Sequence, residues 1–249
     1  MDLLRLAAFA SSLADAARAV TLGGSDREAE HKRGSADYDP VTAADREAER
    51  IIRALIAQAL PDHGIAGEEF GETAGAGRYV WSVDPIDGTR AFICGLPSWT
   101  TLIALLDEGA PVLGLIDVPA LDERYLGFAG APGLQASDCR SLGEARLSTT
   151  DPYLFAGVEA EGFARLRRAA RVTRYGLDAY AYARLAAGSI DLVAESRLKP
   201  HDYHALIPVV RAAGGVIGNW RGEDDFSEGQ VLAAATRDLF DEAVGILAA

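Results

Sequence analysis

Between residues 3 and 20 the chain places Leu3, Leu6, Leu13, Ala17 and Val20 on one stripe, a spacing that predicts an amphipathic surface helix. The stretch Gly23–Pro40 is polar and carries glycine, so it is expected to be a connection and not an element. Thr42 opens a second helix whose buried face is Ala48, Ile51, Ile52, Leu55, Ile56 and Ala59, and Pro61 ends it. Beyond residue 64 the period shortens. Tyr79–Val83 predicts a strand running into Asp84; Thr100–Leu106, Val112–Asp117 and Arg124–Phe128 predict three more, with Asp107-Glu108-Gly109 as a hairpin turn. From about residue 150 the two patterns alternate. Strands are expected at 153–156, 171–174, 190–195, 215–219 and 230–235, with helices near 159–170, from 178, from Pro200 and at the C-terminal end.

Strand–helix alternation points to α/β layering in the second half, whereas helices followed by strands point to α+β in the first. The expected division is 1–145 and 146–249. No repeat or low-complexity tract interrupts it.

Composition narrows the function classes. Of 249 residues, 49% are hydrophobic and 24% charged, as in a folded globular protein. The net charge of −13, with no basic cluster, sets the chain against a phosphodiester backbone, so no nucleic-acid partner is expected. No apolar run approaches the roughly 20 residues of a membrane span. Asp2, Arg5, Asp15 and Arg18 mark the first segment as an amphipathic helix and not a leader peptide. Cys94 and Cys139 form neither a disulfide framework nor a metal-finger spacing, which favours the cytoplasm.

The densest chemistry is Val83-Asp84-Pro85-Ile86-Asp87-Gly88-Thr89. Pro85 and Gly88 are expected to turn the backbone between the two acids. Such a turn can aim both carboxylates and the Ile86 carbonyl at one point, an all-oxygen set for a hard cation such as Mg²⁺. Gly88-Thr89 then offers backbone amides to a phosphate. Taken alone, Asp-Pro and Asp-Gly are equally plain turn chemistry. The same double reading holds for Glu68 and Glu69 between Gly67 and Gly71, for Asp45 three residues after Thr42 as a capping box, for Asp178 as an N-cap, for Asp202 in a first helical turn and for Glu195 at a strand end. His31 and His63 are expected to be solvated; His201 and His204 flank Asp202 and could reach a ligand but are expected to be non-ligating; Tyr180 and Tyr182 are expected to be packing. Neither Gly-x-Ser-x-Gly, His-Glu-x-x-His nor a P-loop occurs.

Together these stretches resemble the inositol monophosphatase superfamily of Mg²⁺-dependent, lithium-sensitive phosphatases. The likeness spans Asp39-Pro40-Val41-Thr42-Ala43-Ala44-Asp45, Gly67-Glu68-Glu69, Asp84 to Thr89, and Gly188 to Asp202. Arg90-Ala91-Phe92-Ile93, Leu147-Ser148-Thr149-Thr150, Arg174-Tyr175-Gly176 and Lys199-Pro200-His201-Asp202-Tyr203 lean toward its histidinol-phosphate phosphatase branch. The resemblance implies a layered αβαβα sandwich, a homodimer and a small phosphorylated alcohol as substrate. It also implies two or three Mg²⁺ on Glu68, Asp84, the Ile86 carbonyl, Asp87 and Asp202. Asp45 and Thr89 would activate the attacking water; Asp87, Gly88 and Thr89 would hold the phosphate; Gly176, Asp178, Glu195 and Asp202 would meet the alcohol portion. L-histidinol phosphate is the expected substrate, with inositol 1-phosphate as the alternative, and a catalytically silent protein-binding member stands as the reading of another class. Leu177 and Ala179 depart from the branch's Gly-Gly-Asp-Cys, Cys94 and His204 are unusual, and His201 stands where the superfamily carries an aromatic residue. The apolar segments Trp99–Leu106 and Val112–Ile116 suit either a dimer interface or the core.

Overall fold

The first apolar stripe forms helix α1 (Leu3–Thr21) in the computed structural model, which describes residues 2–23, 28–31 and 40–248. Asp2 caps it by accepting from the Leu4 amide at 3.1 Å. Within the polar connection, β1 (Ala29–His31) pairs antiparallel with β2 (Pro40–Thr42), a short strand where the pattern predicts none. A three-residue strand is too short to leave a hydrophobic alternation to read; besides the backbone pairing, Arg46 holds Glu30 of β1 at 3.0 Å. Asp39 lies outside the described residues, as does most of the Gly23–Pro40 loop. Helix α2 (Ala43–Ala59) starts at Thr42 as expected, with Ala48, Ile52 and Ile56 buried.

Strands β3 (Gly64–Gly67), β4 (Gly71–Thr73) and β5 (Tyr79–Asp87) follow, then the short helix α3 (Thr89–Ile93). Next come β6 (Thr100–Asp107), β7 (Ala110–Val118) and β8 (Glu123–Phe128). These strands form a six-stranded sheet in the order β4-β3-β5-β6-β7-β8. The β6–β7 turn has Glu108 and Gly109 at φ 49° and 86°, the two positive values a type I′ hairpin requires.

The second sheet has the order β10-β9-β11-β13-β12. It is built from β9 (Arg146–Thr149), β10 (Val172–Tyr175), β11 (Leu192–Glu195), β12 (Val216–Gly218) and β13 (Val231–Ala234). The intervening helices are α4 (Val158–Ala169), α5 (Tyr180–Ala186), α6 (Pro200–Tyr203), α7 (Leu206–Ala212) and α8 (Arg237–Ala248). A strand expected at 153–156 is instead a 3₁₀ turn at Pro152–Leu154, because Pro152 fixes φ and the Asp151 side chain accepts from the Tyr153 amide at 3.0 Å.

Alternation along each strand sends side chains into different layers. Leu102 and Ala104 face α5 and α7, whereas Ile103 and Leu105 face α1 and α2. In the second sheet Val193 and Ala233 face α5 and α7, and Leu192 and Leu232 pack with α4 and α8. The result is the αβαβα stack that the resemblance implies. Trp99–Leu106 and Leu113–Ile116 are buried and Val112 is partly buried, so these apolar segments belong to the core and are not exposed for an interface.

Helix α7 lies directly on the first sheet, and two glycines make the approach possible. A Cβ on Gly127 would stand 2.4 Å from the Pro208 carbonyl oxygen, and one on Gly114 2.1 Å from that of Ala205. Gly127→Ala is therefore expected to destabilise the fold by about 2–3 kcal/mol. In a thermal melt that is a fall of about 5–10 °C in Tm, whereas alanine at the open surface position Gly130 loses only the cost of its positive φ.

Candidate active site

Register brings the first two acids together. β3 runs parallel to β5 with Gly67 opposite Val83, and the Glu68 amide donates to the Val83 carbonyl at 3.2 Å. The next residue along each segment is an acid, so Glu68 falls beside Asp84. The turn expected between Asp84 and Asp87 is a register irregularity inside β5, not an end to the strand. Pro85 has no N–H for the ladder, Asp84 Oδ1 accepts from the Ile86 amide at 3.1 Å, and the Thr101 hydroxyl donates to the Pro85 carbonyl at 2.7 Å. That kink delivers Asp87 to the same side as Asp84.

Asp202 comes from the first turn of α6, which packs against β5. The Lys199 amide donates to its Oδ2 at 2.6 Å. One ligand oxygen each from Asp84, Asp87 and Asp202 lies within 4.8 Å of the others, and Glu68, Asp84 and His201 form a second such set. Acids from positions 68, 84, 87 and 202 thus converge.

The electrostatics show what this costs. Burial, then the charges of Glu68, Asp87 and Asp202, hold the Asp84 carboxyl well above the ordinary carboxylate range. Asp87 is raised as strongly, by burial and then by Asp178 and Asp202, against hydrogen bonds from the Ala179 amide at 2.8 Å and the Thr100 hydroxyl at 3.2 Å. Asp202 moves the same way. At about 4 Å and an effective dielectric near 20, each such pair repels by roughly 4 kcal/mol. Converging buried oxygens that repel one another fit a hard divalent cation, Mg²⁺ by donor type.

Glu68, Asp87 and Asp202 open into a cavity of about 310 Å³ lined also by Gly88, Thr89, Arg90, Thr150, Asp178, Tyr182 and Glu195. Asp178 is not the N-cap of α5. It holds a left-handed φ of 49°, and Ala179 takes the cap position. Its carboxylate abuts Gly88, where a Cβ would stand 2.9 Å from Asp178 Oδ2. Burial raises it to about 6 despite Arg90. Glu195 accepts from the Thr150 amide at 2.7 Å and from the Thr150 and Thr149 hydroxyls at 2.9 and 3.1 Å, yet burial still lifts it to about 8. Tyr182 is buried as a packing residue would be, yet it lines this cavity with no hydrogen-bond partner on its hydroxyl.

Two sequence expectations part from the geometry. Asp45 forms its capping box with Thr42 through Oδ2, while Oδ1 is buried without a partner; the Thr89 hydroxyl donates to the Ile86 carbonyl at 3.1 Å. The two do not bond each other. Gly176, at φ 75°, lines a neighbouring cavity with Thr150, Asp151 and Tyr175 instead of the acidic one. Among the histidines, His63 is half-buried and accepts from Trp81 Nε1 at 3.1 Å, so it is not simply solvated. His204 meets the Ser82 hydroxyl at 3.0 Å, and burial lowers it to about 4.

Glu49 is a site-shaping residue that the sequence pattern does not mark. Fully buried on α2, it accepts from the Glu69 amide at 2.8 Å, the Phe70 amide at 3.2 Å and Arg53 Nε at 2.7 Å. It thereby fixes the turn that presents Glu68. A Cβ on Gly67 would stand 2.0 Å from its carboxylate, so glycine is required there. In sequence, Glu49 and Arg53 look like an ordinary solvated i,i+4 pair.

Comparison with known proteins agrees with this architecture. The inositol monophosphatase family profile matches residues 2–248, and the chain belongs to that family. It is 46% identical over 211 residues to the chloroplastic bifunctional phosphatase IMPL2 of Arabidopsis thaliana, covering 80% of this chain but only 60% of that protein's length. It is 37% identical to the histidinol-phosphatase of Streptomyces coelicolor, covering 99% and 97% of the two chains. An inositol monophosphatase structure from Zymomonas mobilis superposes with a TM-score of 0.88 at 37% identity, covering all of both chains. No described helix is long and apolar enough to cross a membrane.

Proposed function

We propose that the protein is a Mg²⁺-dependent phosphomonoesterase that hydrolyses a small alcohol phosphate, with L-histidinol phosphate as its substrate. The observation that carries the reading is that Glu68, Asp87 and Asp202 line one cavity with Gly88 and Thr89, and that the buried Asp84 stands within 4.8 Å of ligand atoms from all three. Glu68, Asp84, Asp87, Asp202 and the Ile86 carbonyl would hold the cations. The chemistry Mg²⁺ supplies when bound is Lewis acidity toward phosphoryl oxygens.

The chain's own groups do the rest. Gly88 and Thr89 turn backbone amides toward the phosphate. Asp45 Oδ1, a buried acceptor with no partner, is the base to which a proton from the attacking water passes by way of the Thr89 hydroxyl. That relay requires the hydroxyl to leave the Ile86 carbonyl. Among the described residues no nucleophilic side chain stands activated beside the acids, which favours direct in-line attack.

Substrate choice rests on Asp178 and Glu195. Both are acids kept partly protonated near neutral pH by burial, and a cationic amine beside them restores their charge. Histidinol phosphate carries such an amine. Inositol 1-phosphate is the second reading, because the same carboxyls can accept from hydroxyls. Measured with Mg²⁺, kcat/KM for L-histidinol phosphate is expected to exceed that for inositol 1-phosphate by about tenfold or more, about 1.4 kcal/mol. The reverse ranking would overturn the assignment.

A further inference from the structure

His201 is the one imidazole that reaches the acidic cluster. It stands in the first turn of α6, between Pro200 and Asp202, and its side chain is only 17% exposed. Its Nε2 atom is buried with no hydrogen-bond partner, 3.8 Å from Glu68 Oε1 and 3.4 Å from Asp202 Oδ1. It also lies within 4.8 Å of ligand oxygens from both Glu68 and Asp84. A buried imidazole nitrogen facing carboxylates without bonding to them is costly unless something sits between.

We propose that His201 is a nitrogen ligand completing a metal site with Glu68 and Asp84, and that this site takes a first-row transition dication such as Mn²⁺ in preference to Mg²⁺. The inference rests on the reading of the acidic cluster as a metal centre. Its physical basis is donor type. Carboxylate oxygens alone suit Mg²⁺, whereas an imidazole among them adds a nitrogen donor that first-row transition dications bind better than Mg²⁺ does, with Mn²⁺ the weakest of that series and the later ions stronger. His204, three residues on, is committed to Ser82 and does not compete for the role. The Asp84–Asp87–Asp202 set, which has no nitrogen, remains the Mg²⁺ position.

The test uses the full chain, stripped with chelator and reloaded with Mn²⁺ alone. Pulsed electron paramagnetic resonance of the wild type is expected to show nitrogen coupling to Mn²⁺, and His201→Phe is expected to abolish it. By calorimetry His201→Phe is expected to weaken Mn²⁺ binding about tenfold while leaving Mg²⁺ binding within about twofold. Absence of nitrogen coupling in the wild type overturns the proposal without needing the variant to fold. Equal weakening of both ions, or tighter binding of both as expected if a protonated His201 merely offsets the acids, overturns it too. If the wild type binds neither ion, the metal-centre reading falls with it; Mn²⁺ binding without nitrogen coupling removes only the role of His201.

Discussion

Asp87→Asn is expected to lower turnover by about a hundredfold or more while raising the melting temperature of the metal-free protein. The two effects have one origin. Asp87 is buried among acids, and its charge is opposed by desolvation and by Asp178 and Asp202. Replacing the carboxylate by a neutral amide of the same shape removes that opposition. The remaining oxygen can still accept from the Ala179 amide and the Thr100 hydroxyl, so the local fold is retained. What is lost is a charged oxygen in the Asp84–Asp87–Asp202 set. A purely structural acid would behave the other way, with its loss lowering stability and leaving chemistry nearly intact. Steady-state assay with Mg²⁺ and a melt in chelator therefore decide the point together. Near-normal turnover would refute the role of Asp87.

The layers of this fold were legible because their sequence signals are periodic. Leu102 to Leu106 alternates between two helical layers, and Ala48, Ile52 and Ile56 repeat at the helical spacing. The acidic motifs were legible because Pro85 and Gly88 constrain the backbone between and after the acids. Other features were not, for reasons that are local. β3 and β4 are four and three residues long, carry glycines at their ends and have no alternation, so the Glu68 segment reads as a loop. Pro152 and a side-chain cap convert an apparent strand into a 3₁₀ turn. Glu49 cannot be told from a solvated helix acid until the β3–β4 turn folds onto it, because its partners are backbone amides 20 and 21 residues away. The Asp178 backbone is similar. A left-handed φ at a non-glycine residue leaves no mark in sequence, yet here it places the carboxylate against Gly88.

Mg²⁺ is expected to stabilise the protein strongly at pH 8 and little at pH 5. Asp84, Asp87 and Asp202 are raised in the folded chain, Asp178 stands at about 6 and Glu195 at about 8, while in the unfolded chain each returns to about 4. Between about pH 4 and about pH 8 the folded state therefore holds more protons than the unfolded one, and metal-free stability falls as pH rises through that window. Protons neutralise the cluster at the acid end; a divalent cation replaces them at the alkaline end. Because groups elsewhere titrate identically with chelator or Mg²⁺, the difference between the two melts isolates the cluster. At about a hundredfold its dissociation constant the cation contributes about 2.7 kcal/mol, a rise of about 5–10 °C in Tm at pH 8. Competing protons shrink the rise at pH 5, and Asp87→Asn should shrink it at pH 8. Calorimetric scans with chelator and with Mg²⁺ at both pH values give the comparison. An equal rise at pH 5 and pH 8 would mean that Mg²⁺ binds somewhere other than these buried acids.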